Sequence, residues 1–325
     1  MQSQDSKVVI LGTGGTIAGT AASASDNVGY TAAQIGVAGL IAAVPALAGQ
    51  ALEAEQVAQL DSKDMDHATW QRLAQRVAFH LARADVAGIV ITHGTDTLEE
   101  TAYFLHRVLA PAKPVVLTAA MRPATSLFTD GPQNLLDAVL VARHASAHGV
   151  VVVLAGAVHR AADVRKRHSY RIDAFGSGDA GPVAWVEEGA LREVGPWPQG
   201  AALGLDTIAT PVDEWPRVDI VVSHAGVDGA AAQALVALGA HGIVVAGTGN
   251  GTLHHALEAA LHAAQRAGVS VLRCTRCAEG AVVGEPAGAL PSAGPLSPVK
   301  ARVELMLRLL ARDRAGSALD QRGLV

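Results

Sequence analysis

Two threonine-rich loops, each directly after a short apolar segment, hold the residue types that attack on a carbonyl group requires. Residues 12–16 read Gly-Thr-Gly-Gly-Thr after the apolar residues 8–11, and residues 93–97 read His-Gly-Thr-Asp-Thr after residues 88–92. A threonine hydroxyl becomes a nucleophile when a nearby base accepts its proton, and backbone N–H groups can stabilise the oxyanion that forms. The two loops therefore predict a site where two hydroxyls, a carboxylate and several N–H groups surround one small substrate.

The glycines of the first loop raise the alternative of a nucleotide-phosphate cradle. The dinucleotide pattern requires glycine at position 17, where Ile17 stands, and no Walker lysine follows the loop. A tight strand-to-helix turn that needs small residues is the structural alternative. The functional interpretation places the Thr16 hydroxyl at the loop tip as the candidate nucleophile.

A glycine-, serine- and alanine-rich segment, residues 20–29, separates this loop from Tyr30. Its composition fits a mobile lid and a surface loop equally well. If the segment closes as a lid, Tyr30 brings its phenol to Thr16 and water is excluded from the site.

The charged candidates also have structural alternatives. Asp96 lies at a helix start, where a carboxylate is electrostatically favourable, but it could equally bind a substrate ammonium group or polarise a lysine. Lys166 stands in the run Arg165-Lys166-Arg167, which is typical of a solvated surface. Asp130 and Asp163 allow surface roles as well.

Metal and redox chemistry find little support in the pattern of histidines and cysteines. The spacings His159/His168 and His254/His255 do not match a metal-binding pair. Cys274 and Cys277 form one C-x-x-C after a strand-like segment, whereas a redox pair is expected near a helix start and a zinc site needs further ligands. We therefore expect ordinary thiols and no metal site.

The elements that position the loops follow from apolar periodicity. Helical stripes predict helices over residues 70–81 and from just past Asp96 to about 109, the second with a capping box over residues 97–100. Short β-branched segments predict buried strands at 115–118 and 150–154. In an open α/β sheet, loops at the carboxyl ends of strands bind ligands.

The second part of the chain repeats the strand–helix alternation. A Pro- and Gly-rich segment, residues 195–214, is predicted as a linker between domains at 1–194 and 215–325. We predict an α/β fold with a large N-terminal domain around a mixed sheet and a smaller C-terminal domain around a parallel sheet. The predicted C-terminal elements are strands 218–223, 243–246 and 269–273, helices 230–238 and 253–267, and a closing helix 299–311.

Composition excludes several classes of function. The 325 residues are 50% hydrophobic and carry a net charge of −5, so neither nucleic acid nor an anionic membrane surface is an expected partner. The longest apolar runs, 37–49 and 149–158, fall short of the roughly 20 residues that a spanning helix needs. The sequence as it stands has no signal-peptide core, which predicts a cytoplasmic location, or a periplasmic one if a signal peptide has been removed.

The ordered set of motifs resembles the bacterial L-asparaginases. Residues 14–19 are similar to their first signature, and residues 91–104 to their second in the form typical of type II enzymes. The resemblance covers nearly the whole chain, through residues 120–123, 130–135, 249–251 and 300–302.

This resemblance implies roles for individual residues. The implied catalytic residues are Thr16, Tyr30, Thr95, Asp96 and Lys166, with Thr16 as the nucleophile and Tyr30 as the lid tyrosine that assists it. The implied substrate-binding residues are Ser62, Lys63, Thr95, Asp96, Ala120 and Asn250. Among these, Ser62 holds the substrate α-carboxylate, Asp96 the α-amino group, and Asn250 reaches the site from a neighbouring subunit.

The implied activity is hydrolysis of L-asparagine to L-aspartate and ammonia through a covalent acyl-enzyme. The resemblance also implies a homotetramer built from intimate dimers, and a reaction that needs no metal or organic cofactor.

Three departures from the family pattern leave alternatives open. Lys63 replaces a frequent glutamine, the glutamate supplied by an adjacent subunit has only Glu285 as a candidate counterpart, and a disulfide of some periplasmic relatives is missing. A glutaminase-asparaginase with comparable activity on L-glutamine is therefore one alternative. The others are a non-enzymatic amino-acid-binding module and an ammonia-supplying domain of a tRNA-dependent amidotransferase. Amidotransferase chains carry an additional N-terminal domain, which we do not expect here.

Overall fold

An eight-stranded mixed sheet organises the N-terminal part of this computed structural model, which describes residues 6–322. The strands of this part are β1 (Lys7–Gly14), β2 (Leu52–Leu60), β3 (Val86–Thr92), β4 (Pro114–Thr118), β5 (Gly149–Leu154), β6 (Ala157–Arg160), β7 (Arg165–Lys166), β8 (Phe175–Gly176), β9 (Ala184–Glu187) and β10 (Ala190–Glu193). The spatial order is β10-β9-β6-β5-β4-β3-β1-β2, and β7 pairs with β8 separately. Strands β2, β1, β3, β4 and β5 run parallel, while β6, β9 and β10 join by antiparallel pairing. The predicted mixed sheet is confirmed.

Strands β1, β3, β4 and β5 are buried along almost their whole length because helices cover the sheet. The helices of this part are α1 (Val37–Ala42), α2 (His67–Leu81), α3 (Leu98–Leu109) and α4 (Gly131–Arg143). Aliphatic side chains supply most of the core, as the low aromatic content requires. The strands predicted at 115–118 and 150–154 and the helices predicted at 70–81 and after Asp96 are confirmed.

Helix α3 begins where the capping box predicts, but the Thr97 side-chain bond of that box is absent. Thr97 does precede the helix, but its side chain accepts no bond from the first turn. Its hydroxyl instead donates to the carbonyl oxygen of Ser62 at 2.7 Å. The Thr97 hydroxyl is therefore directed at Ser62, a residue distant in sequence, and not at the first turn of α3.

The C-terminal part is a three-stranded parallel sheet with three helices. Its strands are β11 (Val218–Val222), β12 (Gly242–Gly247) and β13 (Ser270–Thr275), in the order β11-β12-β13. Its helices are α5 (Ala230–Ala237), α6 (His255–Arg266) and α7 (Pro298–Arg322). The predicted alternation is confirmed, although α7 extends well beyond the predicted end at residue 311.

The chain divides into two compact units, one ending at Leu205 and the other beginning at Asp206. This boundary falls inside the segment predicted as a linker. Trp197 and Trp215 near the segment's ends are both buried, so parts of it pack against the units instead of lying free.

Within residues 6–322, no three or more His, Cys, Asp or Glu side chains form a group that could hold a metal ion. Cys274 is a buried thiol and Cys277 an exposed one, and neither forms a disulfide. Over residues 6–322, no helix combines the length and the apolar character needed to cross a membrane.

Candidate active site

Four adjacent parallel strands end just before six of the predicted site residues, at one edge of the large sheet. These residues are Thr16, Ser62, Lys63, Thr95, Asp96 and Ala120. Strand β1 lies between β2 and β3, with Gly14 opposite Leu60 and Gly12 opposite Thr92. Strand β4 follows on the far side of β3. Because parallel strands end on the same side, the loops after all four strands meet there.

Two glycines let the threonine loops touch each other through their backbones. Gly15 has a φ of +84°, a region that favours glycine, and a Cβ there would lie 2.3 Å from the Cα of Gly94. A Cβ on Gly94 would lie 2.4 Å from the Ser62 hydroxyl oxygen. Glycine at both positions is therefore required for Thr16, Thr95 and Ser62 to share one site.

Thr16 opens a short 3-10 helix, Thr16–Ala18, and is buried. Its Oγ1 lies 2.7 Å from the phenol oxygen of Tyr30. Thr20 and Thr31 form an antiparallel bridge, with reciprocal backbone bonds of 2.9 and 2.8 Å, that closes the base of the lid segment. The structure thus brings the lid tyrosine to the candidate nucleophile.

The second hydroxyl has its own partner. Lys166, in β7, donates from Nζ to Thr95 Oγ1 at 2.9 Å and to Asp96 Oδ1 at 2.6 Å. The lysine side chain is only 19% exposed, whereas that of Asp96 is 54% exposed. A solvated basic run does not describe Lys166, because its ammonium group joins the Thr95 loop.

Ser62 is buried at the start of the 3-10 helix Ser62–Asp64, directly after β2. Its hydroxyl oxygen accepts the backbone N–H of Asp96 at 3.2 Å. Lys63 turns its ammonium to Asp61 at 2.6 Å and to Asp64 at 3.5 Å. The hydrogen bond to Asp61 raises the pKa of Lys63, so the ammonium group stays charged. The carboxylates of Asp61 and Asp64 balance that charge.

Ala120 is fully buried in the loop after β4, and Asp130 holds this loop. The Asp130 carboxylate accepts the backbone N–H groups of Met121 at 3.0 Å and Arg122 at 2.9 Å. It does so from the position before α4 without capping that helix. Asp130, which the sequence allowed as a surface residue, is partly buried and fixes the backbone of this loop.

Asn250 lies in the C-terminal unit, in the turn between β12 and α6. Its carboxamide forms two reciprocal bonds with the backbone of Val283, each 2.7 Å long. Glu285, two residues further, accepts the Ser292 N–H at 3.3 Å. The Asn250 side chain is therefore held in a defined orientation by its own unit.

His93 is a buried residue of the site loop to which the sequence assigns no role. Burial lowers its pKa to about 4, and a bond to the Gly94 carbonyl only partly opposes that shift. Glu99, in α3, accepts the backbone N–H of Lys166 at 3.4 Å and was also missed. No local motif distinguishes either residue: the Glu99 contact is 67 residues distant in sequence, and the His93 contacts, to Gly94 and Thr101, match no known pattern.

Two hydroxyls, each hydrogen-bonded to a group that can carry a proton, lie at the ends of adjacent parallel strands, and hydrolysis by a hydroxyl nucleophile requires such an arrangement. A family model described as "Asparaginase, N-terminal" matches residues 7–195, and one described as "Glutaminase/Asparaginase C-terminal domain" matches residues 217–318. The chain belongs to the asparaginase family.

Individual relatives agree with this assignment. L-asparaginase 2 of Escherichia coli (strain K12) is 40% identical over 315 residues, which cover 93% of this chain and 88% of the relative. The glutaminase-asparaginase of Pseudomonas fluorescens biotype A is 38% identical, with 85% and 77% covered. The crystal structure of a probable cytoplasmic L-asparaginase from Campylobacter jejuni matches with a TM-score of 0.88 and 38% identity, covering 94% of this chain and 95% of that one.

Proposed function

We propose that this chain is an L-asparaginase that hydrolyses the side-chain amide of L-asparagine to give L-aspartate and ammonia. The observation that carries the proposal is the pair of hydroxyls with separate partners: Thr16 with Tyr30 at 2.7 Å and Thr95 with Lys166 at 2.9 Å. Family membership and the names of the relatives support the same activity.

In the proposed reaction, Thr16 Oγ1 attacks the carboxamide carbon, its proton passes to the phenol oxygen of Tyr30, and the phenol gives its own proton to the substrate nitrogen. Backbone N–H groups near Thr95 stabilise the oxyanion. The C–N bond then breaks, ammonia leaves with the transferred proton, and an ester joins Thr16 to the aspartyl group. Water then attacks the ester carbon, the bond to Thr16 Oγ1 breaks, and a proton of that water restores the Thr16 hydroxyl. Thr95, Lys166 and Asp96 carry the protons released by the attacking water.

The substrate is held at its α-substituents. Asp96, whose carboxylate is half-exposed beside Lys166, binds the α-amino group. Ser62 binds the α-carboxylate, and Ala120 lines the site after β4. Lys63 contributes charge near this end, balanced by Asp61. None of these roles requires a metal or an organic cofactor.

The site is completed by a neighbouring subunit in a homotetramer made of intimate dimers. Asn250 is the contributed residue, and its reciprocal bonds to Val283 leave the second N–H of its carboxamide to meet substrate. The catalytic domain is taken as residues 1–194 and the contributing domain as 215–325. We place the protein in the cytoplasm, or in the periplasm if a signal peptide is removed.

A glutaminase-asparaginase is the second candidate because a relative of that name is 38% identical. Glutamine is longer by one methylene, so with its α-groups held by Ser62 and Asp96 its carboxamide overshoots Thr16. One methylene discriminates by about 1–3 kcal/mol, or roughly 10–200-fold in kcat/KM. Steady-state kinetics on both amides at one pH decide the question, and a ratio at or below one favours the glutaminase-asparaginase.

The test of the proposed function is ammonia release from L-asparagine by the wild type, Thr16→Ala and Thr95→Val. Each variant should lose most of its kcat while unfolding at a temperature close to that of the wild type, since residues that act as a unit fail together. Thr207→Val, which removes a buried hydroxyl of the C-terminal unit, is the matched control. Wild-type protein that binds asparagine without releasing ammonia would instead identify an amino-acid-binding module.

A further inference from the structure

A chain of buried hydrogen bonds runs beneath the Thr95 loop through side chains that the proposed reaction does not use. Trp70 Nε1 donates to Thr101 Oγ1 at 2.8 Å, and Thr101 Oγ1 lies 3.0 Å from His93 Nε2. His93 Nδ1 lies 2.7 Å from the carbonyl oxygen of Gly94. Trp70 is 4% exposed, and Thr101 and His93 are fully buried. We call these three residues the relay.

One arrangement of protons satisfies every member of the relay. An indole N–H only donates and a carbonyl oxygen only accepts. His93 Nδ1 must therefore carry the ring proton, and Nε2 must accept from the Thr101 hydroxyl, which in turn accepts from Trp70. The relay selects one neutral tautomer of His93, and burial keeps the ring neutral because it lowers the pKa to about 4.

The end of the relay sets the direction of a backbone N–H in the site. Because the Gly94–Thr95 peptide is planar and trans, its carbonyl and its N–H point in opposite directions. With the carbonyl held by His93, the Thr95 N–H points away from the relay. Within residues 6–322, this N–H has no hydrogen-bond acceptor, as expected of a donor that serves a ligand.

We propose that Trp70, Thr101 and His93 are positioning residues that aim the Thr95 N–H at the substrate carbonyl oxygen, where negative charge develops during the reaction. The proposal rests on the proposed function. It assigns the relay a role in the chemical step, beyond the packing of α2 and α3 that the stacking of Trp70 on Phe104 at 4.9 Å already supplies.

The test compares Thr101→Val, which keeps the shape but removes the hydroxyl, with Thr101→Ser, which keeps the hydroxyl. With L-asparagine, Thr101→Val should lower kcat at least tenfold and leave KM within about twofold, because the misdirected N–H acts mainly in the transition state. Thr101→Ser should stay within about threefold of the wild-type kcat. Thr207→Val controls for the loss of a buried hydroxyl. Trp70→Phe, which retains the ring packing, replaces Thr101→Val if that variant does not fold.

The outcomes separate the relay from the proposed function. Equal kcat in wild type and Thr101→Val overturns the relay, as does an equal loss in the serine and valine variants. A change confined to KM also overturns it. Wild-type protein without asparagine hydrolysis overturns the proposed function first and removes the reaction that the relay would serve.

Discussion

Lys166 illustrates how contacts distant in sequence decide the role of a charged residue. Its flanking arginines are typical of a solvated surface run. In the fold, β7 carries its ammonium to Thr95 and Asp96, whose loop lies about 70 residues earlier in the chain. A positioned proton-transfer group and an exposed surface lysine differ strongly in what their removal costs.

Replacing Lys166 with methionine should therefore impair catalysis far more than stability. We expect kcat for asparagine to fall about 100-fold or more, as for a positioned proton-transfer group. The control is Lys7→Met, since the Lys7 side chain is 42% exposed and forms surface ion pairs with Glu53 and Asp85. A fall in kcat of less than threefold for Lys166→Met would restore the surface interpretation.

At the scale of elements, the lid is joined to a second loop, residues 124–127, which we call the arm. Three hydrogen bonds of 2.7–3.1 Å link the two segments: Ala21 N to Thr125 Oγ1, Ser126 Oγ to Asn27 Oδ1, and Leu127 N to Ala24 O. A fourth, of 2.9 Å, joins Ala124 N to the oxygen of Gly19, directly before the lid. The arm lies between the Asp130-bound loop after β4 and α4. If this segment closes over Thr16 as a lid, we expect the arm to take part in the closure.

Removing one lid–arm bond should weaken closure by a measurable amount. Ser126→Ala deletes the hydroxyl that donates to Asn27 at 2.7 Å. One such bond contributes about 0.5–1.5 kcal/mol, so we expect kcat/KM for asparagine to fall roughly 2–12-fold. Ser23→Ala is the matched control, because Ser23 bonds only within the lid, to Ser25. Equal kcat/KM in both variants would show that the arm does not support the lid.

The elements that could be predicted from sequence are those whose burial leaves a clear pattern. Strands β3, β4 and β5 are uninterrupted aliphatic runs because both faces are covered. Strand β2 was missed, since its Ala, Glu and Gln residues lack β-propensity and its exposed edge position tolerates them.

The site shows the same division between local and tertiary information. The Thr16 and Thr95 loops carry their chemistry in a contiguous stretch of residues, so the sequence predicts them directly. The Thr97 bond of the capping box is absent because Ser62, 35 residues earlier, takes the Thr97 hydroxyl. The relay could not be predicted either, since two of its three bonds join separate elements and no spacing in the sequence indicates them.

At the scale of the whole molecule, the buried neutral His93 links stability to pH. Its pKa is lowered from 6.5 to about 4 in the folded chain, so the unfolded chain takes up a proton first as the pH falls. The stabilisation is complete above pH 6.5 and is lost as the pH falls toward 4. A shift of this size corresponds to about 3 kcal/mol.

Urea unfolding at several pH values between 6.5 and 4.5 checks this expectation. The free energy of unfolding of the wild type should decrease with falling pH more steeply than that of His93→Gln. The difference in slope should correspond to the uptake of at most one additional proton on unfolding. Carboxylates such as Glu53 and Glu55, whose pKa values are lowered by Arg83 and Arg76, add their own losses below about pH 4.5 in both proteins. Parallel slopes would contradict a buried neutral His93.

A shared site predicts complementation between inactive subunits. Thr16→Ala lacks the proposed nucleophile and Asn250→Ala lacks the residue proposed to come from a neighbour, so each protein alone should have little activity. Subunit exchange should restore part of the activity, because some hybrid sites then hold both native residues. Mass measurement must confirm the exchange, and exchanged assemblies that stay inactive would contradict a site built from two subunits.

The order of the strands has a consequence for synthesis on the ribosome. Strand β1 is almost entirely buried, yet Ile10 meets its β3 partner, Val90, only after about 80 further residues have been made. At 5–20 residues per second, that wait is roughly 4–16 s. During this time an apolar segment of the nascent chain has no native neighbour on one side, which makes it a target for chaperones that bind early in translation.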